Sequence, residues 1–299
     1  MHRLLLLCLV SFALAQKVDY TYDDAGRLVR AAYPNGKAIT YTYDKAGNLL
    51  RRLVTAAVAG PAPVASAAGV VNAASFIGGP VAAGEVVTLF GTTIGPPTLA
   101  GLQLTTAGFV DNYIGETTVL FDGFPGPIIY SSAGQTSVIV PYSVAGRAST
   151  QMIVEYQGRR SAPVTLPVAA AAPALFSANA SGKGNGAILN QDGSYNSSAA
   201  PAAKGSVVVL FGTGEGQTDP PGVDGKPAAG VFPKPVLTVS VRIGGVAAEI
   251  LYSGAAPGLV AGVLQVNARI PEEVASGDVP VVLTVGSASS QPDLTVAVR

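Results

Sequence analysis

The stretch that decides the fold is PVAAGEVVTLFGTT at residues 80–93, because it returns as PAAKGSVVVLFGTG at 201–214, 201 − 80 = 121 positions later. Each copy contains an uninterrupted run of apolar and β-branched residues, 86–90 or 207–211, that a glycine closes. A short run of this kind, ended by a glycine, is typical of a strand inside a sheet. The repeat therefore predicts the same strand in two successive domains.

The landmarks around this strand repeat as well. VLFDGFPGPIIYS from Val119 aligns with VRIGGVAAEILYS from Val241, 241 − 119 = 122 positions later. VIVPYSVAGRASTQMIVEYQG from Val138 parallels NARIPEEVASGDVPVVLTVG from Asn267. Each copy thus holds about six or seven short strands at a spacing of about 8–12 residues, which indicates a β-sandwich of about 100 residues.

Composition agrees with an all-β chain that is rich in turns. Of the 299 residues 48% are hydrophobic and 12% charged, and 36 glycines and 22 prolines break helices and mark turns. We predict that the parts follow in this order: a signal peptide at 1–15, a hairpin segment at 16–54, an Ala/Pro-rich linker at 55–68, a sandwich at 69–168, a second linker at 169–173, and a second sandwich at 174–299.

The N-terminal hairpin segment carries its own repeat, YTYDDAGRL from Tyr20 and YTYDKAGNL from Tyr41. Tyrosines two positions apart point to one face of a strand. Asn35-Gly36 between the copies is a strong signal for a type I′ hairpin turn, and Asp-x-x-Gly supplies further turns. The pattern predicts strand, turn, strand, turn, strand.

The first 15 residues predict export. Arg3 precedes an apolar run from Leu4 to Leu14, and Ala13-Leu14-Ala15 is a small-x-small cleavage site. The run is too short to span a membrane, and no later stretch is long enough to cross one as a helix. The predicted location is therefore secreted, extracellular or at the cell surface.

Loss of the signal peptide also limits the chemistry of the mature chain. His2 and Cys8, the only histidine and cysteine of the full sequence, both lie in the predicted signal peptide. Catalysis by Ser–His–Asp or Cys–His, zinc sites with those ligands, and disulfides are therefore all excluded after cleavage. The 18 basic and 18 acidic residues balance without a basic cluster, which argues against nucleic acid as a partner. No cofactor and no metal centre are predicted.

Candidate ligand-binding residues lie in a long loop at 212–230 of the second copy, which holds Glu215, Asp219 and Asp224. The equivalent loop of the first copy lacks these acids. Carboxylates on a backbone fixed by proline suit Ca²⁺ or a sugar, and a pair facing across a cleft would suit glycoside hydrolysis. A solvated loop without a ligand is the alternative.

Two further sets of residues are candidates for contact with a partner. The tyrosines Tyr20, Tyr22, Tyr41 and Tyr43 would stack on sugar rings or, alternatively, hold their own hairpins together as cross-strand pairs. Leu259 and Val260 belong to GAAPGLVAG, residues 254–262, an insertion relative to the first copy. These two side chains form an interface if the loop projects, or they fold back on their own core.

The quoted residues also carry two family resemblances. The Tyr-x-Tyr-Asp-x-x-Gly-x-Leu copies, with Tyr-Pro-Asn-Gly between them, resemble the YD repeat of RHS-type secreted proteins. Residues 69–299, with VVNAASFIGGPVAAGEVVTLFG from Val70 and APGLVAGVLQVNARIP from Ala256, resemble the Solibacter-type uncharacterized C-terminal domain of soil bacteria. The second resemblance implies tandem immunoglobulin-like (IPT/TIG-like) sandwiches and no known activity.

Taken together, the sequence predicts a secreted or cell-surface protein that is not an enzyme and acts as an adhesive or spacer module. The expected partner is a polysaccharide or another envelope or secreted protein. Two alternatives stay open: an enzyme that acts on polysaccharide through the 212–230 carboxylates, and an orphaned C-terminal cap of a larger YD-repeat protein.

Overall fold

The computed structural model describes residues 18–33, 37–55 and 61–299, and the chain divides into two compact units, Met1–Gly60 and Pro61–Arg299. The predicted signal peptide and the predicted Asn35-Gly36 turn lie outside the described residues. Within the described ranges the chain consists of strands and one short 3-10 helix, Tyr142–Val144, so the predicted all-β class is confirmed. No helix in these ranges has the length and apolar character needed to cross a membrane.

The first unit is an antiparallel sheet of four strands, and the expectation of three was wrong. The strands lie in the order β1-β2-β3-β4, with these bounds: β1 Asp19–Tyr22, β2 Leu28–Ala32, β3 Ala38–Tyr43 and β4 Leu49–Thr55. In each copy the Asp-x-x-Gly makes a turn between two strands, one that carries the Tyr-x-Tyr pair and one that starts at the Leu. Two copies therefore give two hairpins, and hence four strands instead of three.

The aspartate of each copy shapes this turn. In the first copy Asp23 Oδ1 accepts hydrogen bonds from the backbone N–H groups of Ala25 and Arg27, and Arg27 Nε donates to Asp23 Oδ2 at 2.7 Å. In the second copy Asp44 Oδ1 accepts from the Asn48 N–H, and Asn48 Nδ2 donates to Asp44 Oδ2 at 2.8 Å. A short aspartate side chain that bonds to backbone groups ahead of it is the usual way to fix such a turn. The two hairpins are therefore equivalent in detail.

The first sandwich packs two sheets face to face. One sheet has the order β5-β6-β11-β10-β7, and the other has β13-β12-β8-β9 with β14 also paired to β12. The strand bounds are β5 Val64–Asn72, β6 Val86–Thr92, β7 Ala100–Gly101, β8 Thr117–Phe121, β9 Phe124–Pro125, β10 Ile128–Ser131, β11 Gln135–Ile139, β12 Ser149–Tyr156, β13 Arg159–Arg160 and β14 Val164–Pro167.

The second sandwich repeats this arrangement. One sheet has the order β15-β18-β24-β23 with β17 on β18, the other has β16-β27-β25-β21-β22 with β26 on β25, and β19 and β20 form a separate small ladder. The strand bounds are β15 Ala174–Leu175, β16 Gly184–Asn185, β17 Ile188–Leu189, β18 Val207–Thr213, β19 Thr218–Asp219, β20 Lys234–Pro235, β21 Val239–Ile243, β22 Val246–Ala247, β23 Glu249–Ala255, β24 Leu264–Arg269, β25 Gly277–Val285, β26 Ala288–Ser289 and β27 Leu294–Val298.

The shared topology confirms the predicted tandem immunoglobulin-like sandwiches. The run β6-β11-β10 in one copy corresponds to β18-β24-β23 in the other, and β8-β12-β14 corresponds to β21-β25-β27. Even an irregularity repeats: the register of β10 shifts between Ile128 and Tyr130, and that of β23 shifts between Ile250 and Tyr252, at the same offset of 122. A bulge bends and twists its strand, so both copies are shaped alike at this point.

Both segments that composition assigns to linkers are partly structured. Residues 64–68 of the predicted 55–68 linker belong to β5, where Val64 pairs with Thr92 on β6. In the 169–173 segment the Ala169 N–H donates to Val81 O, and the Ala172 N–H donates to Gly214 O. Small alanine side chains let this backbone lie against both sandwiches, which is why a composition typical of a linker is misleading here.

The core of the first sandwich selects one face of the repeated strand. On β6 the Leu89 side chain is fully buried, whereas the neighbouring Phe90 is 43% exposed. Leu89 packs with Phe121, Met152 and other apolar residues of the facing sheet. Successive side chains of a strand point to opposite faces, so the larger aromatic residue is the one directed away from this core.

Leu89→Ala should therefore reduce the free energy of unfolding by about 2–5 kcal/mol because it leaves a cavity in a close-packed core. Phe90→Ala, the neighbouring control, should cost about 1 kcal/mol or less. Urea denaturation followed by tyrosine fluorescence measures both. An equal loss in the two variants would contradict the assignment of the buried face.

Candidate functional site

The candidate site lies where the second sandwich meets the first, and it is built from two loops of the second copy: 212–230, which carries acids that its first-copy counterpart lacks, and 254–262, an insertion. The loop at 212–230 follows β18, and the loop at 254–262 joins β23 to β24. They pair with each other: the Ala228 N–H donates to Leu259 O at 2.8 Å, and the Ala261 N–H donates to Lys226 O at 2.9 Å. The two loops therefore form one structure, which we call the paired loops.

The paired loops pack on the first sandwich. Ala261 contacts the apolar core of that sandwich. The Tyr142 N–H donates to Asp224 Oδ1 at 2.9 Å, and the Val110 N–H donates to Gly225 O at 2.8 Å. Backbone groups of the first sandwich are thus hydrogen-bonded by the second, as buried polar groups require.

Thr213, at the end of β18, connects three segments at this junction. Its hydroxyl accepts a hydrogen bond from the Val86 N–H at 2.8 Å and donates one to Gly262 O at 2.7 Å. The side chain has no solvent exposure. The equivalent residue of the first copy, Thr92, is exposed. The same strand end has therefore acquired a bridging role in one copy alone.

Two glutamates are buried at this junction, Glu85 from the first sandwich and Glu215 from the paired loops, with exposures of 2% and 3%. Glu85 Oε1 accepts from Asn72 Nδ2 at 2.8 Å, and its Oε2 accepts from the Ala82 N–H at 2.7 Å. Glu215 Oε2 is buried and has no hydrogen-bond partner. An unpartnered buried oxygen is costly when charged, which favours a proton on Glu215.

Burial therefore sets the protonation of this pair. It raises the pKa of Glu85 from 4.5 to about 8, an effect that the neighbouring Glu215 increases and the hydrogen bonds from Ala82 and Asn72 oppose. Burial likewise raises the pKa of Glu215 to about 8. Burial also raises the pKa of Asp224, against the hydrogen bond from Tyr142, and it raises the pKa of the Tyr142 phenol well above 10. The junction thus favours neutral side chains.

The structure separates the three carboxylates that the sequence singled out. Glu215 is buried at the junction, Asp224 is half-buried and bonded to Tyr142, and Asp219 is exposed on β19. Among the residues that the structure describes, no three His, Cys, Asp or Glu side chains are grouped so that they could hold a metal ion. These carboxylates as ligand-binding residues remain a prediction that the geometry of the loop does not support.

The other predicted contact residues fall into two groups. Tyr20 and Tyr22 on β1 are 56% and 58% exposed, whereas Tyr41 and Tyr43 on β3 are half-buried. The Tyr43 hydroxyl donates to Leu28 O at 2.9 Å, which favours a structural role for that residue. In the paired loops Leu259 is 44% exposed and Val260 is half-buried, so Leu259 is the one that projects.

Sequence reasoning missed Glu85, Asn72 and Thr213. Glu85 carries a usable signal, since it is a charged residue inside the apolar repeat PVAAGEVVTLFG, and Ser206 replaces it in the second copy. Asn72 donates to Ala172 O as well as to Glu85, a contact over 100 residues of chain that no local pattern reveals.

A cavity of about 360 Å³ opens beside the same junction. Its polar lining includes Glu85, Asn72 and Gln291. Gln291 Nε2 donates to Leu175 O at 2.6 Å and its Oε1 accepts from the Leu175 N–H, so this side chain is bonded within the protein. The polar groups of the cavity wall are therefore used to hold backbone segments together.

Comparison with known proteins identifies one segment. The RHS repeat family model matches residues 16–57, which confirms the predicted YD-type repeat segment. None of the curated proteins matches the sequence. The resemblance of residues 69–299 to the Solibacter-type domain stays a prediction.

Three solved structures with similarity to this chain share 12–14% of its sequence. SGBP-B from a xyloglucan utilization locus in Bacteroides uniformis is 13% identical with a TM-score of 0.24, covering 78% of this chain and 49% of that one. The N-terminal eight Ig domains of Down Syndrome Cell Adhesion Molecule are 12% identical with a TM-score of 0.21, covering 97% of this chain and 31% of that one. The tandem Ig repeats of Dlar are 14% identical with a TM-score of 0.19, covering 75% and 96%. This chain thus spans about half of the first structure and a third of the second.

The buried glutamates predict that stability falls as pH rises. A carboxyl that titrates near 4.5 when unfolded and near 8 when folded holds its proton only in the folded state between these values. Each such group lowers the free energy of unfolding by about 1.4 kcal/mol per pH unit at most. Thermal unfolding between pH 5 and about pH 8 should show a falling midpoint, and Glu85→Gln with Glu215→Gln should flatten the slope.

The control for this experiment is Asp219→Asn, which removes a charge from an exposed position of the same loop. It should leave the slope as in the wild type. A midpoint that rises from pH 5 to pH 8, or a slope that the two glutamine substitutions do not change, would show that the pair is not the source.

Proposed function

We propose that this protein is an exported, non-catalytic structural and interaction module in which two coupled sandwiches serve as a surface spacer or adhesive element. The observation that carries the proposal is the position of the carboxyl groups of the 212–230 loop. Glu215 and Asp224, the residues best suited to bind a ligand, are turned into the junction of the two sandwiches. Asp224 bonds the first sandwich and Glu215 is shut off from solvent, so neither carboxyl is placed to act on a substrate.

Export is supported by the N-terminal sequence. The first 15 residues have the charge, apolar run and cleavage site of a secretory signal, and the RHS repeat match begins directly after them at residue 16. A mature chain without cysteine gains no stability from disulfides outside the cell. Hydrogen bonds and packing at the junction then supply the link between the sandwiches.

Exposed aromatic side chains supply the proposed contact surface. Tyr20 and Tyr22 stand on the edge strand β1 and are more than half exposed. Tyrosine offers a broad apolar ring with a polar tip, a combination that suits both sugar rings and protein surfaces. A polysaccharide or another envelope or secreted protein is therefore the proposed partner.

An enzyme acting on polysaccharide is the second candidate, and one observation favours it. Glu85 lines the cavity of about 360 Å³, and its pKa is raised to about 8, as it is in general acids. Against this, both oxygens of Glu85 already accept hydrogen bonds from Asn72 and Ala82. The structural role remains the better supported one.

A polysaccharide assay separates the two candidates. The purified protein is incubated with a panel of soluble and insoluble polysaccharides and with cell-envelope fractions, with and without calcium. We expect either saturable binding to one class or no binding, in both cases without release of soluble sugar. Release of sugar that is lost in Glu85→Gln would overturn the proposal in favour of the enzyme.

The coupling of the sandwiches has a matched pair of glycine variants. A Cβ added at Gly262 would lie 2.2 Å from Gly84 O of the first sandwich, whereas one at Gly258 meets nothing within 4 Å. Both residues have positive φ, so the backbone strain is similar in kind. Gly262→Ala should destabilise the unit by about 1–3 kcal/mol more than Gly258→Ala and should split one calorimetric transition of the sandwiches into two.

A second pair of variants tests the same coupling and does not depend on whether Gly262→Ala folds. Thr213→Val removes the hydroxyl that bridges Val86 and Gly262, and Thr92→Val makes the same change at the exposed equivalent position. Only Thr213→Val should weaken the coupling. Two separate transitions already in the wild type would contradict a coupled spacer.

A further inference from the structure

The four-stranded RHS sheet has two edges that are copies of its own inner strands. The repeat offset of 41 − 20 = 21 makes β3 the equivalent of β1 and β4 the equivalent of β2. The order β1-β2-β3-β4 places β2 and β3 together in the middle and leaves β1 and β4 at the two edges. The contact between β2 and β3 is therefore the contact between one repeat and the next.

That central contact is specific. Its ladder pairs Arg30 with Thr40 and Ala31 with Ile39. Beyond the ladder the Arg27 guanidinium lies 5.0 Å from the centre of the Tyr43 ring and donates to Asp44 O at 3.0 Å. A cation over an aromatic face adds to the stability of such a pair. The turn of the first repeat is thus held by the strand of the second.

The 21-residue offset transfers the register of the β2–β3 contact to the two edge strands, β4 and β1. Adding 21 to the residues of β2 and subtracting 21 from those of β3 converts the pair Arg30–Thr40 into Arg51 on β4 and Asp19 on β1. The pair Ala31–Ile39 becomes Arg52 and Val18. Tyr43 and Leu28, joined by a hydroxyl bond in the centre, become Tyr22 and Leu49. The edges are therefore complementary in register, and the arginine and the aspartate are complementary in charge.

Both edges are open to solvent and carry apolar side chains. All four residues of β1 are exposed. On β4 the side chains of Leu49, Leu50 and Val54 are 51%, 66% and 54% exposed. An exposed edge strand with apolar residues is a template on which another strand adds through backbone hydrogen bonds.

We propose that this sheet is a self-association surface, on which β4 of one molecule pairs with β1 of a second copy of the chain in the register of the β2–β3 contact. A one-residue slip would turn every side chain to the opposite face, so the register is part of the proposal. The contact joins two different edges and is therefore head-to-tail, and it continues to further copies unless the assembly closes. It goes beyond the module function above and does not depend on it.

The exchange of two charges tests both the contact and its register. Arg51→Glu and Asp19→Arg each place like charges opposite one another between molecules, whereas the double variant restores an opposite pair. In the ladder of one molecule Arg51 lies opposite Thr42 and Asp19 opposite Ala32, so neither change creates a like-charge pair there. Each residue also has an interaction within its own molecule, so recovery in the double variant, which restores only the pair between molecules, is the decisive result. Arg52→Glu is the matched control, because it makes the same change in charge opposite Val18.

Sedimentation velocity of the protein from Gln16 onwards, from micromolar to millimolar concentration, gives the readout. We expect the weight-average mass of the wild type to rise to at least that of a dimer, to stay near the monomer in each single variant, and to rise again in the double variant and in Arg52→Glu. Circular dichroism confirms that each variant is folded. A wild type that stays monomeric throughout, or a loss in Arg51→Glu that Asp19→Arg does not reverse, would overturn the proposal.

Discussion

Hydrogen-bonding of buried backbone groups is the constraint on which the arrangement of the two sandwiches depends. A surface that closes over another domain must bond the N–H and C=O groups that it removes from water. Thr213 meets this need for Val86 and Gly262 at once, and Asp224 meets it for Tyr142. Once these bonds are made, the paired loops, the buried glutamates and the packing of Ala261 follow as one structure.

The repeat in the sequence predicted more of the fold than composition did. The repeat offset in the sequence relates the equivalent strands and the glycines that end them. The register shifts before Tyr130 and Tyr252 lie at the same offset. Composition misled at 64–68 and 169–173, because alanine suits a free linker and a closely packed backbone equally well. The apolar run could not show that Leu89 faces the core and Phe90 turns away from it.

The sequence predicted only part of the candidate site, because local sequence does not show which distant segments come into contact. The 254–262 loop could be recognised as an insertion, and the 212–230 loop by acids, among them Glu215 and Asp224, that its first-copy counterpart lacks. That the loops pair with each other, and that these acids face another domain, depends on contacts between segments far apart in the chain. Glu85 shows the difference well, since burial raises its pKa and the neighbour that adds to this effect, Glu215, lies 130 positions away, 215 − 85.

The difference between the two copies has a consequence for how such a protein can grow by duplication. Glu85 in the first sandwich corresponds to Ser206 in the second, and the 254–262 insertion and the acids of the 212–230 loop belong to the second alone. The two domains therefore present different surfaces at the junction and are not interchangeable. A third sandwich copied from the second would pack on Ser206 where the present junction holds Glu85, so the buried pair of glutamates would not form again. The junction thus makes the two copies of the repeat structurally distinct, and a further copy would need a new junction as well as a new domain.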